Sequence, residues 1–171
     1  MSTVGSSGRS YRKIEIADLS RLALIAQKDQ SEFFDKYPKW ARLYSGREIC
    51  IALCQGAALH YIDGSTGIND FDVYVFYSRN PQKDLYAKRL KFYDFGDAKF
   101  GQSLDKPNFI GRRVDCMMRS IDGHENEAAE KSIQRYLMKG KTKTARLLAA
   151  KAVVLLEPNC GKVIWPRRSE K

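Results

Sequence analysis

The sequence predicts an α/β (α+β) protein, a small mixed β-sheet flanked by N- and C-terminal helices, and three observations carry that prediction. Short apolar runs, "EICIALC", "FDVYVFY" and "IGRRVDCMMRSI", have the length and composition of strands. Longer stretches of helical periodicity lie on either side of them. No repeat and no long linker interrupts the 171 residues, a length that suits one domain with its own core. The sheet carries three aspartates, Asp70, Asp72 and Asp115.

Residues 1–12 are rich in Ser, Gly and Arg and are expected to be disordered, leaving 13–171 as a single domain. "IADLSRLALIAQKDQ" reads as a helix with Asp18 as its N-cap, because Leu19, Leu22, Ala23 and Ile25 recur at helical spacing. A second short helix is expected from Ser31, ending before Pro38. "EICIALC" suits a buried strand; Gly56 interrupts it, and "AALHYI" makes a short helix before the turn residues of "DGSTGIN". The strand "FDVYVFY" follows. Residues 79–110 are turn-rich, with "RLKFYDF" a candidate strand among them. In the next strand Arg113, Asp115 and Met117 share one face. "ENEAAEKSIQRYLMKG" and "KTARLLAAKA" are helical, before the short run "VVLLEP" and the tail.

A formal net charge of +10 favours polyanionic partners such as nucleic acid or nucleotide phosphates, without choosing among them. No run approaches the roughly 20 apolar residues of a membrane span, and "MSTVGSSGRS" lacks the apolar stretch of a secretory signal. A cytoplasmic protein with no membrane partner is expected. The four cysteines, Cys50, Cys54, Cys116 and Cys160, make no CxxC pair, and the two histidines stand at no ligand spacing from them. Reduced, buried thiols are therefore expected where cysteines lie in apolar segments.

Asp70 and Asp72 are two residues apart, so in an extended chain they point to one face while Phe71 and Val73 point to the other. Like charges side by side repel, so something positive is expected between them, and a divalent metal is the obvious candidate. If the strands of Asp72 and Asp115 are neighbours, the three carboxylates converge and supply the hard oxygen ligands that two magnesium ions need.

The residues "QGAALHYIDGSTGINDFDVYVF", followed by "RRVDCM", resemble the nucleotidyltransferase fold superfamily, which contains DNA polymerase beta and many small bacterial nucleotidyltransferases. That family has a Gly-Ser at the start of a short helix, two acids one residue apart on a strand, and a third acid on a later strand. Gly56, the pair Asp70 and Asp72, and Asp115 match it, within residues 47–118. The chain departs from the pattern at Ala57, where the family usually has a serine that contacts the triphosphate, and in the 13 residues between Gly56 and Asp70. The resemblance implies magnesium-dependent transfer of a nucleotide from an NTP to an acceptor, with release of pyrophosphate. Asp70 and Asp72 would hold the nucleotide-bound ion and share a second, and Asp115 would complete that second ion site and help activate the acceptor hydroxyl. Such chemistry rests on positioning and electrostatics and needs no covalent nucleophile. Backbone N–H groups at Gly56 and Ala57 are candidates to hold phosphate at the helix start. Arg113 either neutralises Asp115 or contacts phosphate, and Lys99 in "GDAKFG" is a further candidate for phosphate contact.

His60, on the helix after Gly56, is either a general base or a histidine satisfied by a hydrogen bond. No nucleophile motif accompanies it or His124. From Lys131 to Leu156 there are seven basic residues and no acidic one, and Lys131, Arg135 and Lys139 recur every four residues. That stripe is either a solvated surface or a track for a nucleic-acid acceptor. Phe92, Tyr93, Phe95 and Phe100 suit base stacking or core packing. The rival readings are a catalytically inactive module of the same fold that binds RNA or a protein partner through its basic helices, and a nucleotide-sugar transferase, which also uses two acids one residue apart.

Overall fold

A computed structural model describes residues 8–124 and 126–166, without the side chains of residues 87–91. In chain order, α1 spans Ile16–Lys36, α2 Pro38–Tyr44, β1 Glu48–Cys54, α3 Gln55–Asp63, β2 Phe71–Ser78 and β3 Tyr86–Asp94. A 3₁₀ turn, Ala98–Phe100, precedes β4 Arg113–Ile121, α4 Ala129–Lys139, α5 Lys143–Ala149, β5 Val153–Glu157 and β6 Val163–Trp165. The six strands form one mixed sheet in the order β3-β4-β2-β1-β5-β6, so the fold is α/β as predicted. Every neighbouring pair is antiparallel except β2 and β4. Those two run parallel because the chain crosses back to the same end through β3 and residues 95–112.

Strand β1 is apolar along most of its length because both of its faces are covered. Ile51 and Leu53 pack on the side of α1, in a cluster with Leu19, Leu22, Ala26 and Phe33. Cys50, Ala52 and Cys54 pack on the other side, with Ile133 and Leu137 of α4 and Leu148 of α5. Burying each large aliphatic side chain contributes about 1.5–3 kcal/mol, so this central layer supplies much of the stability. Cys50, Cys54 and Cys116 are buried and Cys160 is exposed. Burial pushes the Cys50 and Cys54 thiols up, away from the reactive thiolate.

Three expectations change at the N-terminal side. The N-cap of α1 is Glu15; Asp18 stands three positions later, where its carboxylate accepts from the Glu15 N–H at 2.8 Å in a capping box. Helix α1 runs through Ser31 without a break, because Phe33 continues the buried stripe of Leu19, Leu22 and Ala26. Pro38 opens α2, at the first helical position where its missing N–H costs nothing. Of the segment 1–12 read as disordered, residues 1–7 lie outside the described residues. Residues 8–12 lie against the domain: Ser10 exchanges backbone hydrogen bonds with Ile68, at 3.0 and 2.7 Å, and is buried.

Among the described residues no helix is long and apolar enough to cross a membrane. Phe95 and Phe100 pack on Phe71 in the core, with ring centroids 5.1 and 5.5 Å away. They are packing residues and not a stacking platform.

Candidate functional site

The register of β2 and β4 decides where the aspartates meet. Asp72 and Asp115 are partners across the parallel pair, at the N-terminal ends of their strands and on the same face of the sheet. Asp70 precedes β2, where Phe71, buried against Phe95 and Phe100, fixes the entry of the strand. On the other side of β2, Cys54 is the partner of Asp72, which brings the end of β1 and the start of α3 alongside. The Gln55 N–H donates to the Ala152 carbonyl at 3.1 Å and ties this corner to the start of β5.

A positive charge does lie among the acids, but it is a side chain of the chain itself and it stands between Asp70 and Asp115 rather than between Asp70 and Asp72. Arg113 Nη2 donates to Asp70 Oδ2 at 2.7 Å and to Asp115 Oδ2 at 3.2 Å, while Nη1 donates to Asp105 Oδ2 at 2.5 Å. Its Nε faces Asp115 Oδ1 at 2.8 Å, an ion-pair contact without hydrogen-bond alignment. The guanidinium lies over the ring of Phe92, 4.6 Å from its centroid, and Phe92 is the register partner of Asp115 on β3. One cation thus neutralises parts of three carboxylates.

Asp72 is left out of this arrangement and makes no hydrogen bond or ion pair with the described residues. Burial, then the negative charges of Asp70 and Asp115, push its carboxyl up to about 7, against the pull of Arg113 and Lys151. Asp115 is raised as well, burial outweighing the attraction of Arg113.

This donor set fits one hard cation better than two. Magnesium is commonly held by one or two carboxylates, completed by phosphate oxygens and water. Both oxygens of Asp72 and the second oxygen of Asp70 answer that description. Asp115, as it stands, faces Arg113 with both oxygens. Among the described residues no three His, Cys, Asp or Glu side chains are grouped to hold a metal ion, which agrees with the guanidinium lying among the acids.

Gly56 opens this corner. Its backbone does not need glycine, since φ is not positive there, and an added Cβ would meet only Lys151 Nζ at 3.9 Å. Neither chain geometry nor packing explains the residue; what it provides is bare backbone facing an ammonium. Gln55 beside it has φ of 61°, an uncommon value for a non-glycine residue, where β1 turns into α3. Ala57 points into the core, so of this residue only the backbone N–H is open to a ligand. Lys151 is the residue that sequence reasoning missed as part of the site, noting it only within the basic run. Its one local signal is its position two residues before the apolar run of β5.

The chain matches no family model, no curated protein and no solved structure. The functional reading therefore rests on the residues and their geometry.

Among the described residues Lys99 is not joined to Asp70, Asp72 or Asp115. Its ammonium pairs with Asp18 at 2.6 Å and Glu15 at 3.1 Å, at the start of α1. His60 is buried and satisfied twice: Nδ1 accepts from the Gly67 N–H and Nε2 donates to the Arg12 carbonyl, both at 2.9 Å. It pins the turn ahead of Asp70 to α3. Arg112 is a second buried holder of that turn, donating to the carbonyls of Gly8 and Phe100 at 2.7 Å and of Asn69 at 3.4 Å. The basic stripe lies at the other end of the sheet. Arg135 pairs with Glu127 at 2.7 Å and donates to the Asp122 carbonyl at 2.9 Å, and Lys139 lines a groove with Arg79 and His124, beyond the ends of β2 and β4. Six residues of strand separate that end from Asp72, roughly 20 Å at about 3.3 Å per residue.

Proposed function

We propose that the aspartate site carries magnesium-dependent nucleotidyl transfer from an NTP to an acceptor hydroxyl, with release of pyrophosphate. The observation that supports this reading is the register pairing of Asp72 with Asp115, with Asp70 beside them and the open corner at Gly56 alongside. Asp70 and Asp72 would hold the nucleotide-bound ion, which would stabilise charge on the attacking and leaving oxygens. The N–H groups at the start of α3 and the Lys151 ammonium draw the triphosphate into the corner. Asp115, with its raised carboxyl, accepts the proton of the acceptor hydroxyl. Ala57 supplies no hydroxyl, so phosphate binding there falls to backbone and cations.

Calorimetric titration of each NTP, with and without MgCl2, tests the reading. Binding of at least one NTP that requires magnesium and is lost in Asp72→Asn is expected. Failure of the native chain to bind any NTP in the presence of magnesium overturns it.

A second reading has its own observation. Lys131 and Lys139 have no carboxylate partner among the described residues, on the stripe whose spacing suits either a solvated surface or a nucleic-acid track. In that reading the fold is an inactive RNA-binding module, and salt-sensitive RNA binding survives Asp72→Asn unchanged.

A further inference from the structure

We infer that Arg113 is an internal occupant of the cation position, so that the site excludes a free divalent ion and admits one only together with a polyphosphate. The inference rests on the transferase reading for its ligand but concerns the protein's own switch between two electrostatic states. The guanidinium makes ionic contacts with Asp70, Asp105 and Asp115, between 2.5 and 3.2 Å, and its side chain is 21% exposed. A second cation placed among the same carboxylates meets both a charge and a body already there. Like charges held this close in a partly buried site repel strongly enough to weaken binding of a bare ion by about tenfold or more.

A polyphosphate changes that balance. Its oxygens offer Arg113 a bidentate anionic partner equal to the carboxylates it leaves. The carboxylates then turn to the incoming ion, and Phe92 keeps the guanidinium at the rim by stacking on its plane. Metal and triphosphate thereby favour one another, a coupling built from one side chain exchanging partners. Asp105 sets how firmly the resting state is held. Its side chain is 57% exposed, and it belongs to the loop before β4 and not to the strand ends that carry the aspartates.

The probe is MnCl2 alone, without nucleotide, titrated against the full chain and followed by the loss of the free Mn2+ paramagnetic signal. Native protein binds the bare ion weakly. Arg113→Gln binds it at least tenfold more tightly, Asp105→Asn shifts affinity the same way by a few-fold, and adding Asp72→Asn to Arg113→Gln removes the gain. If Arg113→Gln does not fold, the Asp105→Asn comparison decides. Unchanged or weaker Mn2+ binding in both single variants overturns the inference, even where the native chain binds magnesium and NTP normally. Absence of any NTP binding by the native chain overturns the transferase reading and leaves the Mn2+ result to be judged by itself.

Discussion

Asp72 stands beside two other carboxylates without a hydrogen bond to any of the described residues, and its carboxyl is raised to about 7 from an ordinary value of 3.8. Between those two values the folded chain keeps a proton that the unfolded chain has released. Stability from this residue therefore falls as pH rises through that window, and the cost is full above about 7. Asp72→Asn keeps the shape and removes the charge, so we expect it to stabilise the protein by about 2 kcal/mol at pH 8, several degrees in melting temperature, and by much less at pH 5. Thermal scans at the two pH values check this; an equal gain at both would rule out charge as the cause. Arg113 was legible as a neighbour of Asp115, since residues two apart on a strand share a face. The part played by Asp105 was not, because a loop eight residues upstream has no periodicity to read. The pairing of Lys99 was equally hidden: its partners Glu15 and Asp18 lie more than 80 residues upstream, and no local pattern announces an ion pair formed across the fold.

At the scale of elements, α3 and the turn behind it are held by His60, whose ring joins two backbone segments inside the core. His60→Ala leaves the Gly67 N–H and the Arg12 carbonyl without their partner, and we expect a loss of about 3 kcal/mol, ~10 °C in a thermal melt. A variant that melts like the native chain yet loses activity would instead mark His60 as a base. The loop ahead of β4 is equally constrained at Gly111, where an added Cβ would stand 2.3 Å from the Asp97 carbonyl oxygen. Gly111→Ala is therefore expected to lower the melting temperature, whereas Gly56→Ala, which meets only a flexible ammonium, should leave it nearly unchanged and weaken triphosphate binding. Strand and helix identities were readable because β1, β2 and β4 carry their apolar pattern openly. The extent of α1 was not, since Ser31 and Pro38 are breaker signals that the buried stripe through Phe33 overrides. Composition likewise marked residues 8–12 as loose, because a backbone pairing such as Ser10 with Ile68 leaves no trace in residue type.

For the whole molecule, the separation of the aspartates from the basic stripe matters most. About 20 Å along the strands is more than twice the roughly 8 Å screening length at physiological salt, so the two ends act independently. Lys131→Glu combined with Lys139→Glu should leave magnesium-dependent NTP affinity within about twofold. In the same protein it should weaken RNA binding and flatten its salt dependence, as a filter-binding series across salt concentrations would read. Coupled losses at both ends would show that one ligand spans them. The convergence of Asp72 and Asp115 was the step the sequence could only assume, since strand neighbours in a sheet are set by the crossover and not by either strand's own residues. That crossover also fixes an order in time. As the chain leaves the ribosome, Asp72 emerges well before Asp115, and Lys151 with β5, the second neighbour of β1, comes later still. Through that interval β1 and β2, with α1 already made to cover one face, keep unpaired outer edges and an uncovered second face, so the strand end that carries Asp72 is sheltered only once β4, α4 and β5 have arrived.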